Sequence, residues 1–143
     1  MSNYPNGFDN NTTIPPAYSD DVVFSVKYSC QVDAKSFSVL RDPATGGPLI
    51  LTPNKNTSLR ISCAIVQEDD SMIMGQIVNY AGVYCTLVGE VYINFNRNQF
   101  EYNPGGLYSI SLETSMNSSL KIIVNNNSLR RVKASAVIEF IAL

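Results

Sequence analysis

Histidine and tryptophan are absent from this chain of 143 residues. Without histidine the commonest general base is missing, and with it the commonest metal ligand. No serine sits in a Gly-x-Ser-x-Gly elbow, and no glycine-rich phosphate loop occurs. These gaps argue against an enzyme and leave neither a cofactor nor a metal to expect. Glu68, Asp69 and Asp70 gather carboxylate oxygens of the kind calcium takes, but at the spacing of no known loop, so an acidic turn is the expected role. No stretch sustains an apolar i, i+3, i+4 register, which speaks against any long helix. No run approaches the ~18 apolar residues that a membrane-spanning helix needs.

Charge of one sign is also lacking. Ten basic and twelve acidic residues give a formal net charge of −2. The whole molecule therefore exerts no long-range pull on polyanions, and no specific nucleic acid is expected as a partner. Arg130, Arg131 and Lys133 are the one basic cluster, read as a solvated strand face. Residues 1–16 are polar and rich in Asn, without the apolar segment of a cleavable leader, so synthesis in a cytosol is expected. Five Asn-x-Ser/Thr sequons, at Asn10, Asn11, Asn56, Asn117 and Asn126, then follow from a composition heavy in Asn, Ser and Thr. Cys30, Cys63 and Cys85 form no CxxC pair, and each keeps phase with apolar neighbours. Buried, reduced thiols acting as small hydrophobes are expected.

What the chain does have is alternation. Val22, Phe24, Val26, Tyr28, Cys30 and Val32 interleave with Val23, Ser25, Lys27, Ser29 and Gln31. Successive side chains of a strand point to opposite faces, so this is a strand with one dry face and one wet face. The pattern predicts strands near 22–32, 36–41, 48–52, 58–67, 72–80, 83–95, 99–103, 107–115, 119–124 and 132–142. Turn clusters separate them at Asp42-Pro43 through Pro48, Pro53 to Asn56, Asp69-Asp70, Asn96-Arg97-Asn98, Pro104-Gly105-Gly106 and Asn125 to Asn127. The expected fold is all-β: an antiparallel β-sandwich over 21–143, behind a flexible arm of residues 1–20.

Within 83–95, one face is expected to hold Val83, Cys85, Leu87, Val91, Ile93 and Phe95. Gly89 interrupts it as a bulge or close approach. The opposite face carries Tyr84 and Tyr92, which could cover a loop or another subunit. At the other end of the chain, Ile138, Phe140, Ile141 and Leu143 make a strand end that is apolar on both faces. Such an end belongs inside a sheet or in an assembly contact.

Two short motifs carry resemblances. Pro15-Pro16-Ala17-Tyr18 resembles the PPxY peptide that docks in WW domains through a preformed polyproline II turn and a tyrosine anchor. In matrix-type viral proteins that motif is the late domain used in budding. Residues Phe100-x-Tyr102-x-Pro104-Gly105-Gly106-Leu107-Tyr108-Ser109-Ile110-Ser111-Leu112 look like the strand–turn–Gly-x-Tyr–strand element of complement- and tumour-necrosis-factor-like jelly rolls and of viral fibre heads. The resemblance implies a jelly-roll-like sandwich and a virion structural role: capsid subunit, capsid cement or spike head. The expected partners are copies of the chain or other virion proteins, joined through Ile138, Phe140, Ile141 and Leu143. Two alternatives stay open. One is a matrix-type protein recruiting a WW-domain partner through Pro15, Pro16 and Tyr18. The other is a carbohydrate-binding module that stacks sugar rings on Tyr84, Tyr92 and Tyr102.

Overall fold

The computed structural model describes residues 22–69 and 72–141. The expected arm and the Pro15, Pro16, Tyr18 motif lie outside these residues, as does Leu143. Alternation becomes nine strands: β1 (Val22–Val32), β2 (Ser36–Val39), β3 (Leu49–Ile50), β4 (Lys55–Gln67), β5 (Ile73–Cys85), β6 (Val91–Tyr102), β7 (Tyr108–Thr114), β8 (Ser119–Asn126) and β9 (Val132–Ile141). All of their pairings are antiparallel. Among the described residues the one helical element is a short 3-10 turn at Pro104–Gly106.

Two sheets face each other across one core. The first runs β1-β9-β4-β5-β6. In the second, β8 is central, β7 takes one flank, and β2 and β3 share the other end to end. The second sheet is therefore only three strands wide. The inner phase of β4 (Leu59, Ile61, Cys63, Ile65), of β8 (Leu120, Ile122, Val124) and of β9 (Val132, Ala134, Ala136, Ile138) fills the space between them. Fully burying a leucine or isoleucine contributes about 1.5–3 kcal/mol, so these three strands carry the stability of the sandwich.

The sandwich matches the sequence reading, and the jelly-roll order holds in part. The neighbours β1-β9-β4 and β2-β8 follow it. After β4 the path departs: β4, β5 and β6 run on as a meander within one sheet, where a jelly roll returns the chain to the opposite one. The expected long strand over 83–95 also breaks. The chain reverses at Thr86–Glu90, where the Thr86 amide donates to the Glu90 carbonyl (2.8 Å) and Gly89 turns at φ 89. No Pro or Asn marks this turn, and Leu87 and Val88 prolong the apolar pattern through it. Conversely, the expected turn at Asn96-Arg97-Asn98 lies inside β6. The amides of Asn96 and Asn98 hydrogen bond to Asn79 on β5, so residues that elsewhere make turns here tie two strands together.

The C-terminal strand takes the interior of the two positions open to it. β9 lies between β1 and β4. Ile138 is fully buried in the core of its own chain, and Phe140 stacks on Phe24 with ring centroids 4.2 Å apart. The three cysteines are free, with Cys63 and Cys85 buried and Cys30 half-buried.

Two buried polar side chains behave differently. The Asn126 amide, wholly out of solvent, donates to the carbonyls of Val32, Asp33 and Arg130 and accepts from the Ser128 amide and hydroxyl. It joins the β1 and β8 corners, so its sequon has no accessible nitrogen in the folded chain. The Tyr108 hydroxyl is buried and, among the described residues, has no hydrogen-bond partner. In urea denaturation Asn126→Ala is expected to cost about 2–3 kcal/mol, because it strands several buried carbonyls. Tyr108→Phe should be neutral or stabilising by up to about 1 kcal/mol, because it removes an orphan.

Burial pushes the Cys63 thiol from 9.0 up to about 12, with nearby Cys30 adding to the rise. Its stabilising contribution is complete below pH 9 and is lost as pH rises toward about 12, because the unfolded thiol ionises first. Relative to Cys63→Ala, wild-type stability should fall by about 1.4 kcal/mol per pH unit across that window. A parallel pH profile for the two proteins would contradict this.

Candidate functional site

The register of the five-stranded sheet sorts its outer face residue by residue, because directly opposed residues share a face. On the β5–β6 hairpin the outward pairs are Gln76 with Tyr102, Val78 with Phe100, Tyr80 with Arg97, Gly82 with Phe95, and Tyr84 with Tyr92. Alternation alone could not place them together. One register shift falls between Val78 and Asn79, and another between Gly82 and Val83. Each takes up one extra residue of β6, Gln99 and Asn94 respectively. Each extra residue reverses the phase, as a β-bulge does. The first part of β6 turns Tyr92 outward, the middle turns Phe95 and Arg97 outward, and the last turns Phe100 and Tyr102 outward. Phe95, expected to share a face with Val91 and Ile93, thus joins the tyrosines.

Gly82 completes this arrangement. A Cβ there would meet the Phe95 ring at 2.3 Å, so the bare backbone lets the ring lie across β5. Beside it, Tyr80, Asn94, Phe95, Arg97, Asn98 and Gln99 line a groove of 680 Å³. The groove combines two aromatic rings, the side-chain amides of Asn94 and Gln99, and one guanidinium. Tyr92, Phe100 and Tyr102 extend the rings on either side and are half exposed.

The same face carries charge. One transverse row reads Ser25, Glu139, Arg60, Tyr80, Arg97. Arg60 donates to Glu139 at 2.6 Å, both side chains being mostly buried. Lys27 and Lys133 point outward on β1 and β9. Among the residues paired within the strands, this face thus holds Lys27, Arg60, Arg97 and Lys133 against Glu139. A chain of net charge −2 hides a positive sheet face.

The inner side of β6 is different again. After Val91 and Ile93, which pack on the core, it overhangs the narrower second sheet and is polar. Asn98 donates to Asn79 and Glu101, and Asn103 donates to Glu101 and to the Tyr108 carbonyl. The Gly-Gly-x-Tyr element lies at this corner, where it carries the chain from β6 into β7 of the other sheet.

A second exposed feature occupies one end of the sandwich. The Ser118 amide donates to the Gly89 carbonyl (2.9 Å), and its carbonyl accepts from the Leu51 amide (2.8 Å). Three segments are thereby gathered at one tip. Ser118 holds φ 63 there, a left-handed conformation that these bonds enforce. The tip presents Ile50, Leu87, Val88 and Met116, exposed by 60%, 76%, 82% and 79%. Val22 and Ile141, where the described chain begins and ends, pair with each other at the same end.

The other expected sites fall elsewhere. Of the assembly residues, Ile138 and Phe140 face the core and Ile141 is buried. Of the sugar-stacking tyrosines, Tyr92 and Tyr102 are exposed and Tyr84 is half-buried, all on the outer face. At the opposite end of the sandwich, Glu68 and Asp69 sit beside Arg130 and Arg131. Arg131 pairs with Asp33 at 3.2 Å and with Glu68 at 3.8 Å. That Phe95, Arg97 and Phe100 share a face was not legible in the sequence, since it depends on two bulges with no sequence signature.

No protein-family model matches the chain, and no curated protein matches it in sequence. Among solved structures, the tailspike protein of Acinetobacter baumannii phage AM24 is similar at a TM-score of 0.41 and 8% identity. The match covers 84% of this chain and 26% of that one, so the chain spans about a quarter of its length. Among the described residues no helix is long and apolar enough to cross a membrane.

Gly82→Ala is expected to swing the Phe95 ring off β5 at a cost below about 1 kcal/mol, because the obstacle is an exposed side chain and not backbone. The ring-current shifts on neighbouring protons in NMR spectra would report the movement. A loss of several kcal/mol would show instead that the ring is fixed.

Proposed function

We propose that this chain is a non-enzymatic structural protein of a virion, a capsid subunit, cement or spike head, that assembles through the loop end of its sandwich. The observation carrying this reading is the tip of Ile50, Leu87, Val88 and Met116. Four large apolar side chains stand in solvent on a frame rigidified by Ser118. Solvated loop tips are ordinarily polar, and an apolar group of this kind marks a contact with another protein. The strand end at Ile141 lies at the same end. The virion assignment rests on the viral resemblance of the Gly-Gly-x-Tyr element and on a sequence without an evident catalytic set.

The test is solution mass by light scattering from micromolar to millimolar concentration, followed by electron microscopy. Oligomers or ordered assemblies are expected, and the double variant Leu87→Asp, Val88→Asp should dissociate them while keeping its melting temperature. A monodisperse monomer throughout, absent from any particle, would overturn the proposal. So would a wild-type assembly indifferent to the double variant.

A further inference from the structure

We propose that the outer face of the β5–β6 hairpin is a binding site for an acidic polysaccharide. Arg97 would take the carboxylate of the polymer, and the rings of Phe95, Phe100, Tyr92 and Tyr102 would take its sugar faces. This site is separate from the assembly tip and stands or falls without it.

Shape comes first. The outward rings span the register from Gln76, opposite Tyr102, to Tyr84, opposite Tyr92. Eight residue steps at a strand's rise make a stripe of about 27 Å, room for a chain of several rings. It is an open platform, not a closed cavity, so it suits a polymer lying along the strand. The two bulges and Gly82 are local departures from a regular hairpin. All three act to keep rings on this one face.

Chemistry comes second. A pyranose ring has an apolar C–H face that packs on an aromatic ring and a rim of hydroxyls that needs donors and acceptors. The groove supplies Tyr80 and Phe95 for the first requirement and Asn94 and Gln99 for the second. Amides serve as donor and acceptor at once, which matches hydroxyl groups.

Charge decides the polymer. Arg60 is occupied by Glu139, and Lys27 and Lys133 lie three or four strands away from β6. Among the described residues Arg97 is the one cation of the stripe, and no carboxylate there pairs with it. A guanidinium binds a carboxylate in a two-pronged fork. One cation amid amides and rings fits a polymer with one carboxylate per repeat. Single-stranded nucleic acid carries a phosphate at every nucleotide and is held in a groove of many cations, which this stripe lacks.

The experiment uses the full chain in affinity electrophoresis and calorimetry with three acidic probes that carry one carboxylate per two or four sugars: hyaluronan, heparosan and gellan. Dextran and oligothymidylate serve as controls. At least one acidic probe is expected to bind, with affinity falling at least tenfold in Arg97→Gln and in Phe100→Ser. Both positions are exposed, so both variants should keep the wild-type melting temperature. Arg97→Lys should recover only part of the loss. Binding to none of the three acidic probes would overturn the proposal. So would dextran or oligothymidylate binding as tightly, or indifference to Arg97→Gln. A wild-type dimer that Phe100→Ser splits, with no effect on any glycan, would assign the stripe to a second copy and likewise overturn it.

Discussion

A sheet three strands wide packs on a sheet five strands wide, and this mismatch governs the molecule. The shared core can cover β9, β4 and β5, whose inner faces are accordingly apolar. It cannot cover β6 beyond Ile93. An uncovered apolar inner face on an edge strand would invite aggregation, and the chain avoids one by placing Asn96, Asn98 and Glu101 there. The hydrogen bonds of Asn96 and Asn98 to Asn79 tie this part of the edge strand to its neighbour.

Freed from the core on one side, β6 became variable on the other. A central strand has its register pinned by burial, since a one-residue slip turns its apolar set to solvent. An edge strand with a polar inner face tolerates bulges, and β6 contains two. They gather Tyr92, Phe95, Arg97, Phe100 and Tyr102 on one surface. The positive outer face and the apolar tip are then distinct surfaces set roughly at right angles, one on the flat of the sheet and one at its end. A protein that assembles through one and holds a ligand on the other needs both to be rigid. The corner bonds of Ser118 and Asn126 supply that rigidity at the two ends.

Strands whose alternation is driven by burial were legible from the residues alone. β1, β4, β8 and β9 appear where their apolar phase put them, because a period of two with one dry face admits no other regular structure. The buried cysteines were legible for the same reason. The β5–β6 region was not. Leu87 and Val88 disguised a turn as strand, and Asn96, Arg97 and Asn98 disguised strand as a turn. At the first place the local bond from Thr86 to Glu90 closes the turn, and at the second the bonds of Asn79 on the neighbouring strand to Asn96 and Asn98 override the local preference.

The sequence by itself determined an all-β chain and its main core strands, since these follow from periodicity. Only the tertiary structure decided which residues share a surface. The outer aromatic face draws on two strands whose phase is set by bulges, and the tip draws on three segments joined through the backbone of Ser118. Bulges and backbone bonds between distant segments leave no periodic trace. A surface built from them becomes visible only when the strands are laid side by side.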